Sequence, residues 1–271
     1  MKISNTYLME DKDEALRLDL KTDVESIKER AFWCGIGPGA RVLDVGCGSG
    51  KTSSILHELV QPGGEIVGID YSEERINYAI KNFGQKSIVF KVVDIFGPVE
   101  ELGQFDFVWV QFFLEFFQAE APEIVKKLSL CLKPDGYLCL LDLDNNCLNN
   151  YQLTEPMESV INNIIKKLES DFNFDPYAGR KLYSYLYDIN CRDIQVHIYG
   201  HHLNYGKIKF EDYFNWIKKI ELTSRLATDI FKEYPGGYDS FLADYNKFIN
   251  DNRHFIYSPL IICKGKKPVC K

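Results

Sequence analysis

Residues 41–52 read Arg-Val-Leu-Asp-Val-Gly-Cys-Gly-Ser-Gly-Lys-Thr. A short apolar run meets three glycines spaced by single residues, and an amphipathic stretch of helix length follows at 50–59. Glycines there allow positive φ and let a ligand approach the backbone closely. The helix start presents unpaired N–H groups and the positive end of a dipole. Three ligand patterns compete for this turn. A phosphate-binding P-loop ending in Gly50-Lys51-Thr52 needs a glycine five positions before Gly50, where Val45 stands. A nicotinamide-dinucleotide fingerprint begun at Gly46 and Gly48 needs a small residue at 51, where Lys51 stands. The third pattern, an acidic residue followed by alternating glycines, is met at every position by Asp44, Gly46, Gly48 and Gly50.

Working outward, apolar runs at 41–45, 65–69, 87–93, 105–110 and 137–142 alternate with amphipathic stretches at 50–59, 72–82 and 121–132. That alternation predicts parallel strands joined by crossover helices, with strands apolar because both faces are buried. Ser72, three residues before Arg75, reads as an N-cap. Lys133-Pro134-Asp135-Gly136 reads as a turn. Runs at 194–199 and 255–263 supply a sixth and a seventh strand. Residues 7–35 read as helical, with Leu16, Leu20, Val24 and Ile27 on one side, and 145–177 and 209–250 as further helical pieces. The expected fold is α/β: a Rossmann-like, doubly wound, mostly parallel seven-stranded sheet with helical lid insertions. The chain divides as one domain over 1–271. Within it fall an N-terminal cover (1–35), a ligand-binding core (36–144), lid insertions (145–178 and 204–252) and a last strand with tail (253–271).

Asp70 ends the second apolar run, placed to accept both hydroxyls of a ribose, and Asp94 follows the third with Ile95 beside it. Gln111 ends the fourth run. Asp70 suits dinucleotide folds equally; the series Asp94, Gln111 and Lys133–Tyr137 is what discriminates. Over residues 38–144 the chain resembles the class I S-adenosylmethionine-dependent methyltransferases, in particular the small-molecule branch that includes the ubiquinone and menaquinone biosynthesis enzymes. The resemblance implies S-adenosylmethionine as cofactor. Asp44, Gly46, Cys47, Gly48 and Gly50 would line its methionine and ribose portion, and Asp70 would hold the ribose. Tyr71, Asp94 and Ile95 would frame the adenine, and Gln111 would lie near the methionine portion. Tyr7 and Arg17 would close over it. The implied activity is methyl transfer to a small, partly apolar molecule by in-line displacement. A protein methyltransferase or a non-catalytic cofactor-binding regulator are the alternatives.

His201 and His202, after the sixth run, are the candidate general bases, because histidine titrates near neutrality. His57 and His254 read as surface positions. Strand ends line ligand crevices in open α/β sheets. Asn145 and Asn146 are therefore candidate substrate contacts, with Tyr151, Tyr177 and Arg180 after them. A formal net charge of −7 disfavours a phosphate backbone as partner, so nucleic acid is not expected. The aromatic stretch 105–117 is broken by Asp106, Gln111 and Glu115 and cannot span a membrane. The 8 cysteines form no CxxC pair, so no metal is expected; reduced thiols and no secretory leader suit a cytoplasmic protein. A homodimer stays open.

Overall fold

The computed structural model describes residues 14–267. Two helices, α1 (Glu14–Lys21) and α2 (Val24–Cys34), precede the glycine-rich unit. They break where the Asp23 side chain accepts from Ser26 N and caps α2. Then come β1 (Arg41–Val45), α3 (Lys51–Val60), β2 (Glu65–Asp70), α4 (Glu73–Phe83), β3 (Ile88–Val92), β4 (Phe105–Gln111), α5 (Ala121–Ser129) and β5 (Leu132–Leu143). Ser72 caps α4 as expected, accepting from Arg75 N. The remainder is β6 (Asn150–Tyr151), α6 (Glu155–Phe172), α7 (Ala178–Asp188), β7 (Arg192–Tyr205), α8 (Phe210–Leu226), α9 (Gly237–Asn250) and β8 (Phe255–Lys266).

Among the described residues the sheet has 8 strands in the order β3-β2-β1-β4-β5-β8-β6, with β7 on the other edge of β8. The first five are parallel, and β8 runs antiparallel to β5 and β7. The eighth strand beyond the expected seven is the two-residue β6, which pairs with Phe255 and Ile256 after β5 has left β8. Period-two alternation fills both faces. Val42, Ile66, Trp109 and Leu141 join α2, α3 and α4 on one side. Leu43, Val67, Val108 and Leu140 join α5 and α7 on the other. The sheet is therefore doubly wound.

Several local expectations are corrected. The segment 133–136 is not a turn between elements but lies inside β5: the register jumps from Phe105↔Leu132 to Phe107↔Tyr137, and Asp135 takes φ 60°. Pro134 cannot donate to a ladder, so the strand bulges there. Helix α5 stops at Ser129 because Leu132 already pairs with Phe105. The stretch 209–250 is two helices split around a 3₁₀ turn at Ile230–Glu233. His57 is buried with Nε2 2.6 Å from Ser87 Oγ, and His254 is buried with Nδ1 2.6 Å from the Asp251 carbonyl. Helix α1 is inverted relative to its apolar stripe. Leu16 and Leu20 are 46% and 41% exposed, whereas Glu14 and Arg17 are buried. Its inner side, with Arg17 and Lys21, faces a cavity rather than a core.

Helices α6, α8 and α9 pack on one another in a third apolar cluster with Met157, Ile164, Trp216, Phe241 and Tyr245, which Ile256 of β8 joins to the sheet. Phe241 is fully buried there, edge-on to Phe231 and Tyr234. Truncating a buried aromatic removes transfer energy and leaves a void. Phe241→Ala is expected to lower the unfolding free energy by about 3–5 kcal/mol, read from the midpoint of urea denaturation followed by far-UV dichroism.

Candidate active site

Between β1 and β4 the strand order reverses, so the loops leaving these neighbours diverge and open a crevice at their carboxyl ends. A cavity of about 560 Å³ lies there. Gly46, Gly48 and Gly50 all have positive φ (68°, 54° and 85°). At Gly46 a Cβ would stand 2.5 Å from the Phe113 ring, so the turn has no room for a side chain. The turn is tied to its neighbours: Cys47 N donates to the Ile69 carbonyl at 2.9 Å, and Gly48 N donates to Asp70 Oδ2 at 3.0 Å. Asp70 Oδ1 accepts from Ser72 N at 2.9 Å and from Arg75 Nη2 at 2.9 Å. Asp44 is buried and accepts from Ser53 Oγ at 2.6 Å; burial pushes its carboxyl up to about 7. Cys47 is buried, and burial raises its thiol far above the ordinary range. Gln111 Oε1, also on the cavity, is buried without a hydrogen-bond partner among the described residues.

The opposite half is walled by α1, α6, α8 and the end of β7. His201 and His202 have ring centroids 4.2 Å apart, with Phe112 4.9 Å from the first and Trp216 5.3 Å from the second. Lys219 Nζ lies 3.4 Å from His202 Nε2 and 3.7 Å from Cys147 Sγ. Burial, and then the charges of Arg30, Lys21 and Lys219, hold the His201 imidazole well below 6.5; His202 behaves alike for burial, His201 and Lys219. Both rings are therefore neutral at pH 7. Lys21 is pulled down to about 7 by burial and by Arg17 and Lys219. Arg17 is engaged by both Glu14 oxygens, each at 2.7 Å, and donates to Asn215 Oδ1 at 2.6 Å. Glu115 accepts from Asn146 Nδ2 at 2.7 Å, and burial raises its carboxyl.

The structure brings Arg17, Asp44, Gly46, Cys47, Gly48, Asp70, Tyr71, Asp94, Ile95, Gln111, Asn146, His201 and His202 onto one cavity. Gly50 lies just behind it, packed against Ala79 and Phe90. Tyr71 is exposed at the rim, and Asp94 folds its carboxylate back on Phe96 N at 2.9 Å. Tyr7 lies outside the described residues. Four expected substrate contacts fall elsewhere. Tyr151 is exposed on β6. Asn145, at φ 51°, turns its side chain outward to Arg180, which pairs with Asp144 at 2.6 Å and covers the Tyr177 ring. This group braces the start of α7 on the outside, whereas Asn146 and Cys147, next along the chain, line the cavity. Residues that the sequence reading missed are Lys21, Arg30, Glu115 and Lys219. A signal existed for Lys21, which stands four residues after Arg17 on one helix face.

The glycine turn, the acidic strand ends and the orphaned acceptor thus lie together on one side of the cavity. The chain belongs to the class I S-adenosylmethionine-dependent methyltransferases: a family model described as a methyltransferase domain matches residues 36–199. The ubiquinone biosynthesis O-methyltransferase of Bordetella avium is 35% identical over 113 residues, 40% of this chain and 44% of that protein. The demethylmenaquinone methyltransferase of Lactococcus lactis is 27% identical over 147 residues, 49% of this chain and 57% of that protein. The chain spans 57% or less of the length of the first curated relatives it matches. In fold it is similar to the YcgJ protein of Bacillus subtilis, with a TM-score of 0.60 at 18% identity, covering 92% of this chain and 100% of that one. No helix among the described residues is long and apolar enough to cross a membrane.

The depressed histidines set a sign for acid sensitivity. As the pH falls through 6.5, the unfolded chain takes up protons that folded His201 and His202 refuse, so they lower stability on the acid side. Asp44, raised in the fold, acts in the opposite sense. Its contribution cancels between two proteins that both contain it. The double variant His201→Gln/His202→Gln is expected to lose less stability than the parent between about pH 7 and pH 5, measured by urea unfolding across that range.

Proposed function

We propose that the chain transfers a methyl group from S-adenosylmethionine to a small, partly apolar molecule held between the histidine pair and the helical cap. The observation that carries this reading is one continuous cavity running from the glycine turn and Asp70 to Trp216, Ile220 and Phe241. The residues present fit the cofactor. Asp70 keeps acceptor capacity for a ribose beside the Gly48 N–H, Gln111 Oε1 offers an unmet acceptor to an ammonium, and Ile95 gives a flat apolar surface to a base. When bound, the cofactor supplies an activated methyl group on a positively charged sulfur.

The chain's own part is alignment and exclusion of water, and holding reactants in line contributes roughly 7–11 kcal/mol to lowering a barrier. The cap's apolar residues and α1 enclose the far half, which favours a small substrate over a peptide lying in an open groove. His201 is neutral and tilted against the Phe112 ring, ready to take a proton from a substrate hydroxyl or amine. His202 Nε2 is instead turned to Lys219, so that ring holds the lysine in place. Buried thiols and an acidic surface favour a cytoplasmic setting.

Calorimetry with S-adenosylhomocysteine is expected to give one site per chain. Asp70→Ala is expected to weaken it by about 1.5–3 kcal/mol, the value of hydrogen bonds to a charged group. Affinity unchanged in this variant, or stabilisation of the parent by NADH or ATP alone, would sink the reading. Labelled methyl transfer into a metabolite extract rather than a protein extract is the expected outcome for turnover.

A further inference from the structure

Three cations line the far half of the cavity without an ion-pair partner among the described residues. Lys219 Nζ touches an imidazole and a thiol, His202 Nε2 at 3.4 Å and Cys147 Sγ at 3.7 Å. Lys21 Nζ sits over the Phe112 ring, 5.4 Å from its centroid. Arg30 lies over the Tyr199 ring at 5.9 Å, and its buried Nε has no hydrogen-bond partner. All three act on His201, so their charges converge on the histidine pair. Against them stand two buried carboxylates, Glu115, already bonded to Asn146, and Glu14, held by Arg17, while Asp23 and Glu29, which act on Arg30, are exposed. Arg17 adds no surplus, because Glu14 neutralises it. Lys209 at the margin lies near Asp23 and Asp212.

Burying charge without a partner is costly, so an unneutralised cluster of this kind is a site for an anion. The surrounding wall is apolar: Ile161, Ile164, Trp216, Ile220 and Phe241 continue the cavity beyond the cations. Polar head and apolar body are thus both specified. We propose that the molecule occupying this half is an apolar compound ending in one anionic group, a carboxylate or a phosphate ester. Its head is anchored on Lys219, Lys21 and Arg30 and its body lies under the cap. This assignment rests on the methyltransferase reading, since it names the substrate class of the same site. Lys21 fits the role further. Its proton is weakened by burial and then by Arg17 and Lys219, and an anion between them would strengthen its hold.

The test is isothermal calorimetry on the full chain with S-adenosylhomocysteine, followed by titration of decanoate, decyl phosphate and decanol into the loaded protein. At least one of the two anions is expected to bind roughly tenfold or more tighter than decanol, the scale of a charge-assisted contact. The tighter of the two identifies the head group. Lys219→Met is expected to remove most of that preference while leaving the decanol affinity unchanged, and Lys219→Arg to restore it. The rescue shows that lost charge, and not lost folding, is the cause. Binding of S-adenosylhomocysteine with decanoate, decyl phosphate and decanol all equal overturns this proposal and leaves the methyltransferase reading standing. A preference undiminished in Lys219→Met overturns it equally. Failure of S-adenosylhomocysteine to bind the parent chain overturns the methyltransferase reading and the proposal with it.

Discussion

The reversal of strand order between β1 and β4 governs everything built on this sheet. Parallel strands leave all their carboxyl ends on one edge, and crossover helices on opposite faces pull the two central loops apart. The Gly46–Gly50 turn leaves on one side and Gln111–Phe113 on the other. The gap between them is the mouth of the cavity. Asp70, one strand over, then closes the turn by accepting from Gly48 N, and Arg75 of α4 fixes the carboxylate. The local sequence fits this demand: positive φ at three alternating residues is what glycine tolerates best, and the Phe113 ring occupies the place a side chain at 46 would need.

The half of the cavity around the glycine turn was legible in the sequence because each of its parts is local. Asp44 through Gly50 is one turn, and Asp70, Asp94 and Gln111 each end an apolar run whose β character shows in a few residues. The far half was not, because its geometry is set by contacts distant along the chain. Lys219 meets His202 through the packing of α8 on the end of β7, and Arg17 meets Asn215 across 198 residues. No periodicity within α8 tells which of its lysines faces inward. Glu115 was visible only as a break in an aromatic run, and its burial depends on where Asn146 comes to lie. Asn145, Tyr177 and Arg180 lie off the cavity for a related reason. A strand end does line the crevice, but the chain after β5 turns one side chain inward and the next outward, and the Asp144–Arg180 pair belongs to the outer one. The leucines of α1 misled in the same way, since apolar periodicity marks a buried face only where a core awaits it.

Electrostatics divides the cavity. Near the glycine turn, acidic groups predominate: Asp44 is held partly protonated by burial, and Asp70 is shared with Arg75. Beyond Phe112, cations and neutral imidazoles predominate. Such a gradient orients any molecule of mixed charge before it makes close contacts, because in a water-poor space the interactions of fixed charges reach further than in solvent.

Helix α1 joins the two ends of that gradient. Asp19 takes the Lys51 ammonium behind the glycine turn at 3.1 Å and the Tyr78 hydroxyl at 3.1 Å, while two residues earlier Arg17 reaches Asn215 in the cap. Leu18 between them rests against Gly48. A single helix of eight residues is therefore the crossbar of a common doorway. A change that moved it at the Thr22-Asp23 joint would loosen the contacts on both sides together.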